Sequence, residues 1–377
     1  KSIEWGRDDL AVVHEIWHPK RIKRIFFIDP SSPGKMKEVF SLNSEDVYKD
    51  PGAFLTTETD SGHFVLRFSP EGDGLYLKGK GASPDGAHPF LDKLNISSLE
   101  TERLFESGAD VYEYVVKMNY PSAGQIVTRR ESGEQFPNYL IKELGGDKES
   151  KITDFPHPYP HMKDLKGKFV AYKRKDGVQL LAKLFLPPDY KKEDGPLPVI
   201  MWVYPKEFKS ARTASQRKGS SHRFTNLEWW SQAIWVTRGY AVFDGPTMPI
   251  IGEGDNEPND TYLKQLIMSA EAAIDKLKQL GISDGKRIAI GGHSYGAFTA
   301  ANLVAHTDLF STAVCRTGAY NRTLTPYGFQ SERRTFWEAQ ETYIEMSPFM
   351  NTDKIKEPVL LIHGANDSNP GTYPIQS

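Results

Sequence analysis

Ser294 lies at the centre of a G-H-S-Y-G pentapeptide at residues 292–296. Before it, residues 287–291 (R-I-A-I-G) predict a buried strand, and after it, residues 297–304 (A-F-T-A-A-N-L-V) predict a helix. The two glycines permit the strained turn that such a junction needs, and this turn lifts the serine hydroxyl out of the sheet. The pentapeptide alone is a weak signal, but its place between a strand and a helix predicts that Ser294 is a nucleophile for acyl transfer.

Asp367 is the candidate carboxylate that would orient a base for Ser294. A serine hydroxyl is a poor nucleophile until a base takes its proton, and a carboxylate holds that base in place. An apolar strand ends at His363 and leads directly into G-A-N-D at residues 364–367. Because the carboxyl ends of parallel strands share one edge of a sheet, we expect Asp367 on the same edge as Ser294. An aspartate that only caps a turn is the alternative interpretation.

The base itself has no candidate in the expected place. The junction that carries Ser294 is the nucleophile elbow of α/β-hydrolases, in which the chain order is serine, acid, histidine. Ten residues follow Asp367 and none of them is histidine, while His293 and His363 precede it and do not fit this order. Either the histidine lies beyond residue 377 or the protein is a hydrolase-like protein without catalysis, and we favour the first. Since the chain begins at Lys1 within polar sequence, we expect an internal piece of a longer protein, inactive by itself.

Two donors must stabilise the oxyanion that forms when a serine attacks a carbonyl group. The backbone N–H of Tyr295, directly after the nucleophile, is the first candidate. The second should come from the loop after an earlier strand, which we predict at residues 204–208 (Y-P-K-E-F). Pro205 has no N–H, so we expect the Tyr204 hydroxyl to supply this donor. The alternative is that Tyr204 is an ordinary aromatic residue at the end of a strand.

The elements around these residues predict an α/β domain over residues 168–377. Apolar runs of strand length occur at residues 197–204, 240–243, 311–316 and 358–363. Between residues 261 and 280 apolar side chains recur every three or four positions, with Asp260 as the expected N-cap and Gly281 as C′. Strands that alternate with helices favour a mostly parallel sheet with helices on both faces. Together with Ser294 this pattern predicts an α/β-hydrolase.

The first 155 residues predict an all-β domain. Three stretches with alternating or β-branched runs, separated by polar turns, cover residues 10–40, 63–105 and 111–155. Units of this length predict about three blades of a partial β-propeller, with a β-sandwich as the alternative. A propeller needs at least about four blades, so we expect others before Lys1. Residues 156–167 are the predicted linker, where alternating prolines exclude both helix and sheet interior.

His14, Glu15 and His18 spell H-E-x-x-H, the signature of zinc proteases. That chemistry requires a helix, which brings both imidazoles onto one face. The run L-A-V-V at residues 10–13 and Pro19 directly after the motif predict a strand instead. Four residues of strand span about 13 Å, which is too far for two histidines to share a zinc ion. We therefore expect no metal site here and no cofactor elsewhere.

The composition limits the classes of partner. Hydrophobic residues make up 38% of the 377 residues and the net charge is −2, which gives no field for binding nucleic acid or an anionic membrane. No window approaches 18 uninterrupted apolar residues, so we predict no transmembrane segment. Cys315 is the only cysteine, so no intrachain disulfide can form. We expect a soluble protein whose compartment the sequence does not fix.

Several longer strings resemble the prolyl oligopeptidase family of serine peptidases: residues 291–298, 203–205 and 361–367. Three others resemble its glutamyl endopeptidase branch: residues 249–255, 318–326 and 345–350. The resemblance implies a propeller covering an α/β-hydrolase, cleavage of peptides or unfolded polypeptides through an acyl-enzyme, and an oxyanion donor at Tyr204. It also implies a histidine a few dozen residues beyond Asp367. It leaves a homo-oligomer open, and it implies the plastid stroma in a plant or alga and the cytoplasm or periplasm in a bacterium.

A preference for Glu before the cleaved bond requires a cation in the pocket for that side chain, the S1 pocket. Arginine suits this role because its guanidinium holds a carboxylate with two parallel hydrogen bonds. Arg322 is the first candidate and Arg316 the second, since both follow the helix after Ser294. A structural arginine, exposed or ion-paired, is the equal alternative for Arg322. A dipeptidyl or acyl-peptide exopeptidase, an esterase, or a non-catalytic binding protein are the alternatives for the whole site.

Overall fold

The computed structural model describes residues 1–32, 34–119 and 124–377, and the chain forms two units. The first unit contains Lys1–Lys163 and also Gln216–Phe224, while the second contains Asp164–Ser215 and Thr225–Ser377. The second unit thus begins inside the predicted linker, and a short segment of the predicted α/β domain belongs with the first unit. Pro33 in the first predicted β-stretch and residues 120–123 in the third lie outside the described residues.

The first unit is built from short antiparallel strands. They are β1 (Ser2–Arg7), β2 (Leu10–Trp17), β3 (Ile22–Ile28), β4 (Met36–Asn43), β5 (Ala53–Phe54), β6 (Thr56–Glu58), β7 (Phe64–Leu66), β8 (Gly74–Gly79), β9 (Ala82–Ser83), β10 (Gly86–Ala87), β11 (Phe90–Asn95), β12 (Thr101–Glu106), β13 (Tyr112–Met118), β14 (Gln125–Glu131), β15 (Asn138–Glu143) and β16 (Glu149–Lys151). Three four-stranded sheets have the orders β1-β2-β3-β4, β12-β11-β8-β5 and β13-β14-β15-β16. Two-stranded pairs, β6-β7 and β9-β10, accompany them.

Two apolar cores lie between successive sheets of the first unit. Val12 of β2 and Leu75 of β8 belong to one core, which joins the first and second sheets. Leu91 of β11 and Ile126 of β14 belong to the other, which joins the second and third. Each four-stranded sheet therefore shares a core with the next, as propeller blades do, whereas a sandwich has one core between two sheets. The first unit is part of a β-propeller, as predicted.

The H-E-x-x-H segment is a strand, as its flanks predict. His14 and Glu15 lie within β2, and His18 begins a short 3-10 turn, His18–Lys20. Nε2 of His14 is 3.5 Å from Oε1 of Glu4 in the neighbouring strand β1. His14 and His18 therefore do not share the face of a helix, which the zinc-protease chemistry would require.

Gln216–Phe224 joins the first unit through both of its ends. The side chain of Gln216 donates a hydrogen bond to Oδ1 of Asp46 at 2.7 Å. The backbone N–H of Phe224 donates to Oε2 of the buried Glu131 at 3.1 Å, and its ring packs edge-on against Phe136 with 5.3 Å between ring centres. Polar pairs and an aromatic contact thus hold this segment among the β-strands.

The second unit is a seven-stranded sheet with helices in its connections. Its strands are β17 (Lys168–Lys173), β18 (Gln179–Phe185), β19 (Val199–Phe208), β20 (Ala241–Ile251), β21 (Ile288–His293), β22 (Thr312–Arg316) and β23 (Val359–Ile362), and its helices are α1 (Ala211–Ala214), α2 (Tyr262–Gln279), α3 (Tyr295–His306) and α4 (Gln340–Met346). The sheet order is β17-β18-β20-β19-β21-β22-β23, parallel from β20 to β23, with β17 and β18 antiparallel. This mixed, mostly parallel sheet is the predicted α/β-hydrolase fold.

Besides these helices, the described residues contain short 3-10 turns. They are His18–Lys20, Val47–Lys49, Pro160–Met162, Lys192–Asp194, Gln232–Arg238, Pro258–Thr261, Arg322–Leu324, Pro348–Lys354 and Pro374–Gln376. Neither these turns nor α1 to α4 combine the length and the apolarity that a helix needs to cross a bilayer.

α2 packs one apolar face into the core of the second unit. Leu266, Ala270 and Leu277 are fully buried, and their spacings of four and seven residues place them on one face of the helix. The helix ends where the sequence predicts: Gly281 has a φ of +73°, and its N–H donates to the carbonyl oxygen of Lys278 at 2.9 Å.

The predicted N-cap of α2 was wrong by one residue. Thr261 occupies the N-cap, and Asp260 lies in the preceding 3-10 turn, Pro258–Thr261. The Asp260 carboxylate instead accepts hydrogen bonds from Arg334 at 2.7 Å and Thr342 at 3.1 Å. The carboxylate of Asp260 therefore pairs with Arg334, which is distant in the sequence, and does not cap the helix as the local sequence predicts.

β19 and β20 are longer than their apolar runs predict. Residues 204–208, predicted as a loop, continue β19 and pair in parallel with residues 247–251 of β20. The register shifts between Trp202 and Tyr204, which marks a β-bulge where the extension begins. The loop prediction was wrong because pairing with a segment some forty residues away, rather than local pattern, makes this stretch a strand.

β23 lies at the edge of the sheet. The pattern predicts a strand over residues 358–363, and the structure has it at Val359–Ile362. Its last three side chains, Leu360, Leu361 and Ile362, are 55%, 47% and 44% exposed. Central strands differ: Ile288 and Ile290 of β21 are fully buried.

Candidate active site

Ser294 lies in the turn between β21 and α3, with φ of +56° and ψ of −116°. A non-glycine residue with positive φ is strained, and such strain persists only where the surroundings hold it. Here the Ser294 N–H donates to the carbonyl oxygen of Arg316 at 2.9 Å, and its carbonyl accepts from the N–H of Phe298 at 3.1 Å. The backbone is thus fixed by the next strand on one side and by the helix on the other.

The two glycines of the pentapeptide are required by space. A Cβ on Gly292 would overlap the backbone of Gly296, which follows it in the turn. A Cβ on Gly296 would overlap the carbonyl oxygen of Val203 in β19. The turn can therefore form only if both positions lack a side chain, which is the reason for the glycine spacing around Ser294.

The two residues predicted to supply the oxyanion donors contact each other through their rings. Tyr295 is the first residue of α3, where backbone N–H groups have no partner inside the helix. Tyr204 is in β19, just past the bulge, and its side chain is 54% exposed. The rings of Tyr204 and Tyr295 are edge-to-face, with 6.1 Å between centres. Tyr204 is exposed and Tyr295 begins the helix directly after Ser294, an arrangement that suits the stabilisation of an oxyanion.

Asp367 lies in the turn after β23, which is two strands along the sheet from β21 and Ser294. Both residues follow the carboxyl end of their strand, at the same end of the parallel sheet. Its carboxylate accepts hydrogen bonds from the N–H of Asn369 at 2.9 Å and the hydroxyl of Thr372 at 3.1 Å. Nε2 of His363 is 3.3 Å from its Oδ2. The Asn369 hydrogen bond first, then Thr372 and the nearby His363, lower the pKa of Asp367, so that its ionised form is favoured.

His363 is held by the same turn. Its Nδ1 is 2.6 Å from the hydroxyl of Ser377, and its Nε2 is 2.7 Å from the carbonyl oxygen of Thr372. In the described part of the chain no histidine forms a hydrogen bond with the hydroxyl of Ser294. The structure therefore brings an acid and a nucleophile to one edge of the sheet, but it does not bring a base onto the nucleophile.

Arg316, the second S1 candidate, is the last residue of β22. Its carbonyl oxygen accepts the hydrogen bond from Ser294, and its guanidinium lies 5.7 Å from the centre of the Trp202 ring. Its backbone thus supports the turn directly, while its side chain stacks on an aromatic residue of β19.

Arg322, the first S1 candidate, is 3% exposed, so it is not the exposed arginine of the alternative interpretation. Its guanidinium lies over the rings of Phe298 at 4.2 Å, Phe329 at 4.5 Å and Tyr295 at 5.6 Å. Nε of Arg322 has no hydrogen-bond partner within the described residues, and none of their carboxylates lies within 4.0 Å of its guanidinium. Burial lowers its pKa.

Glu207 is a buried acid that the sequence-based interpretation missed. It is 5% exposed, and its Oε1 accepts a hydrogen bond from the Tyr295 hydroxyl at 2.7 Å. Burial raises the pKa of Glu207, and the hydrogen bond from Tyr295 opposes that rise. Alternate residues of a strand share a face, so Glu207 lies on the buried face with Val203 once residues 199–208 are known to form a strand.

Comparison with known proteins extends this picture. The sequence profile of the prolyl oligopeptidase family matches residues 260–373. The whole chain is 46% identical to a protein of Arabidopsis thaliana named "Probable glutamyl endopeptidase, chloroplastic", and 99% of it is 45% identical to a protein of the same name from Oryza sativa subsp. japonica. In both cases it covers 41% of the relative, so the chain spans about two fifths of the length of the curated relatives it matches. Dipeptidyl-peptidase 5 of Porphyromonas gingivalis is 27% identical over 52% of this chain and 29% of its own.

Solved structures show the same fold. Dipeptidyl peptidase 4 of Porphyromonas gingivalis superposes with a TM-score of 0.63 at 15% identity, covering 96% of this chain and 55% of the other. Acylaminoacyl peptidase of Pyrococcus horikoshii gives a TM-score of 0.57 at 16% identity, covering 100% of this chain and 62% of the other. At these identities the likeness concerns the fold, and it agrees with a propeller unit followed by an α/β-hydrolase.

Proposed function

Since this chain belongs to the prolyl oligopeptidase family, we propose that the protein containing it is a serine peptidase that cleaves peptide bonds through an acyl-enzyme at Ser294. The observation that carries the proposal is the strained backbone of Ser294, at φ +56° between β21 and α3. Two glycines without space for a side chain and a hydrogen bond to β22 maintain that conformation. Strain held in this way is typical of a functional turn.

In this proposal the Ser294 hydroxyl attacks the carbonyl carbon of the substrate. The oxyanion accepts hydrogen bonds from the N–H of Tyr295 and the hydroxyl of Tyr204. A base takes the serine proton and passes it to the nitrogen of the leaving amine, which leaves an ester on Ser294. Water then hydrolyses this ester with the same base, and the serine recovers its proton.

Asp367 orients the base in the proposed mechanism. Its hydrogen bonds keep it ionised, which suits a carboxylate that has to stabilise a protonated imidazole. We do not assign the base to His363, because both of its ring nitrogens already have partners in the turn around Asp367.

We further propose that Arg322 binds a Glu side chain before the cleaved bond. Three aromatic rings surround its guanidinium, and its Nε lacks a partner in the described residues, so a substrate carboxylate would satisfy a buried cation. Two of those rings belong to Tyr295 and Phe298, in the first turns of the helix after Ser294. The names of the two plant relatives point to the same preference.

Labelling with a fluorophosphonate probe tests the serine chemistry. The experiment uses the protein in the full length that its gene encodes, with Ser294→Ala as the control. We expect label on the natural protein and none on the variant. The absence of label from a folded natural protein would support the non-catalytic alternative instead.

Paired peptides with Glu or Gln before the cleaved bond test the role of Arg322. We expect the ratio of kcat/KM for Glu over Gln to fall about 10- to 100-fold in Arg322→Ala, since a charged hydrogen-bonded pair is lost. Arg333→Ala, an exposed arginine in the same region, is the matched control and should keep the ratio. Equal rates on both peptides in the natural protein would exclude the glutamyl preference.

An exopeptidase is the second candidate on the same serine, because Dipeptidyl-peptidase 5 and dipeptidyl peptidase 4 are similar to this chain. An exopeptidase needs a free amino terminus near the cleaved bond. A long peptide with an internal Glu should therefore be cleaved equally with a free or an acetylated terminus by an endopeptidase. Loss of cleavage on acetylation would favour the exopeptidase.

A further inference from the structure

Two buried side chains of opposite charge, Glu207 and Arg322, both lie near the side chain of Tyr295. Glu207 accepts the hydrogen bond of the Tyr295 hydroxyl, and the guanidinium of Arg322 lies 5.6 Å from the centre of its ring. Both residues are at most 5% exposed. Neither forms an ion pair within 4.0 Å in the described ranges, yet each acts electrostatically on the other.

We propose that Glu207 is a specificity-determining residue: its carboxylate is the resident counter-charge of Arg322, and binding of an acidic substrate side chain makes Glu207 take up a proton. The proposal rests on the proposed role of Arg322 as the cation that receives a substrate carboxylate. It assigns to the site a residue that is not part of the serine, acid and base set. It also gives the site a defined dependence on pH.

Among the described residues, several hydroxyl groups and the cation of Arg322 act on Glu207. From α3 comes the Tyr295 hydroxyl, and Ser331 contributes a second hydroxyl. From α2 comes Tyr262, whose ring stacks on that of Tyr295 with 6.0 Å between centres. Burial raises the pKa of Glu207, while hydrogen bonds, first of all the one from Tyr295, lower it. The charge of Arg322, in its 3-10 turn, lowers this pKa further. The charge of Arg322 therefore adds to these hydrogen bonds in favouring the ionised form of Glu207.

A substrate carboxylate changes this balance. When it pairs with Arg322, the cation is neutralised and a second negative charge enters a buried region near Glu207. Two carboxylates in such surroundings cannot both remain ionised at low cost, so one of them binds a proton. Glu207 is the carboxylate that takes it, because burial already favours its neutral form whereas the substrate carboxylate has the hydrogen bonds of Arg322.

The sign of the pH dependence follows. The pKa of Glu207 is raised, so its protonated form, which accommodates an acidic substrate, is present at lower pH and lost as the pH rises through that pKa. The preference for Glu over Gln should therefore be greatest above the substrate's own pKa of about 4.3 and decline towards alkaline pH. A Gln substrate carries no charge, so its rate should not share this decline.

Glu207→Gln tests the proposal in the full-length protein. Gln keeps an oxygen that can accept from the Tyr295 hydroxyl, so the position of Tyr295 is conserved while the charge is removed. We expect the ratio of kcat/KM for Glu over Gln peptides to rise about tenfold at pH 8, mainly through KM of the Glu peptide, and to lose its decline with pH. A ratio and pH profile equal to those of the natural protein would overturn the proposal, as would a lower ratio.

Proton uptake gives a second readout that needs no variant. Calorimetry measures the binding of a peptide aldehyde that ends in Glu to the natural protein. The titration is made between pH 5 and 8.5 in two buffers of different ionisation enthalpy, which gives the number of protons taken up. We expect net proton uptake, which is absent with the matching Gln aldehyde. No uptake across this range would overturn the proposal even if Glu207→Gln did not fold.

The two proposals can fail separately. If Arg322→Ala abolished the Glu preference while Glu207→Gln left it unchanged, only the role of Glu207 would fail. If the natural protein had no preference for Glu, the role of Arg322 would fail.

Discussion

The backbone N–H of Ser294 is 2.9 Å from the carbonyl oxygen of Arg316 and donates a hydrogen bond to it. This bond links the residue after β21 to the last residue of β22. The position of the serine is therefore set by the sheet as well as by α3. Changes that disturb the turn should alter both folding and reactivity.

Gly296→Ala should destabilise the protein and block Ser294. The new Cβ would overlap the carbonyl oxygen of Val203, a backbone atom of a buried strand that cannot rotate away. We expect a loss of about 2 kcal/mol or more in the free energy of unfolding, measured with urea, and loss of fluorophosphonate labelling. Gly34→Ala is the control, since nothing lies within 4 Å of a Cβ there. Equal effects of the two changes would contradict the packing explanation.

Tyr204→Phe should lower kcat with little effect on KM. If its hydroxyl stabilises the oxyanion, removal should cost about 10²- to 10³-fold in kcat. The side chain is 54% exposed, so folding should be unaffected, which a thermal melt can check. Tyr327→Phe, at a tyrosine that is 80% exposed, is the matched control. An unchanged kcat for Tyr204→Phe would mean that the second donor lies elsewhere.

Asp367→Asn should reduce kcat by about 10⁴-fold, because the base would lose the carboxylate that orients it. The pKa of Asp367 is lowered, so the carboxylate stays charged as the pH falls to and below the usual value of 3.8 for an aspartate. The acid limb of a kcat–pH profile should therefore report the base and not Asp367. Asp353→Asn, at an exposed aspartate, should retain activity. A similar loss in both variants would argue against a specific role.

His363→Gln should leave Ser294 reactive. Both ring nitrogens of His363 are engaged by Ser377 and Thr372, so we expect the rate of fluorophosphonate labelling to fall by less than about tenfold, against complete loss in Ser294→Ala. The measurement is the labelling rate, with circular dichroism to verify folding. Complete loss of label in a folded variant would identify His363 as the base.

The sequence predicted the parts of the site that depend on neighbouring residues. The turn at Ser294 needs two glycines, a strand before it and a helix after it, and all of these lie within about twenty residues. The strand through His14 was predictable for the same reason, because Pro19 and an apolar run exclude a helix. Asp367 was found from its place after a strand, and its role as the acid stays a prediction.

Features that depend on distant pairing were not predictable. Residues 204–208 are a strand only because residues 247–251 pair with them, and without that knowledge Glu207 was part of a loop. Asp260 does not cap the helix because its carboxylate bonds to Arg334, which is far away in the sequence. The burial of Arg322 among aromatic rings likewise depends on residues from α3 and from the segment around Phe329.

The placement of Gln216–Phe224 in the first unit determines when that unit can form all of its hydrogen bonds during synthesis. The ribosome makes β17, β18 and β19 before Gln216, so the hydrogen bonds to Asp46 and Glu131 form only after part of the second unit has been made. The β-strand unit therefore lacks two of its hydrogen-bond partners until the chain has been synthesised as far as Phe224. Cutting the chain once, between Lys163 and Asp164, would place each of these two acids on a different piece from its partner.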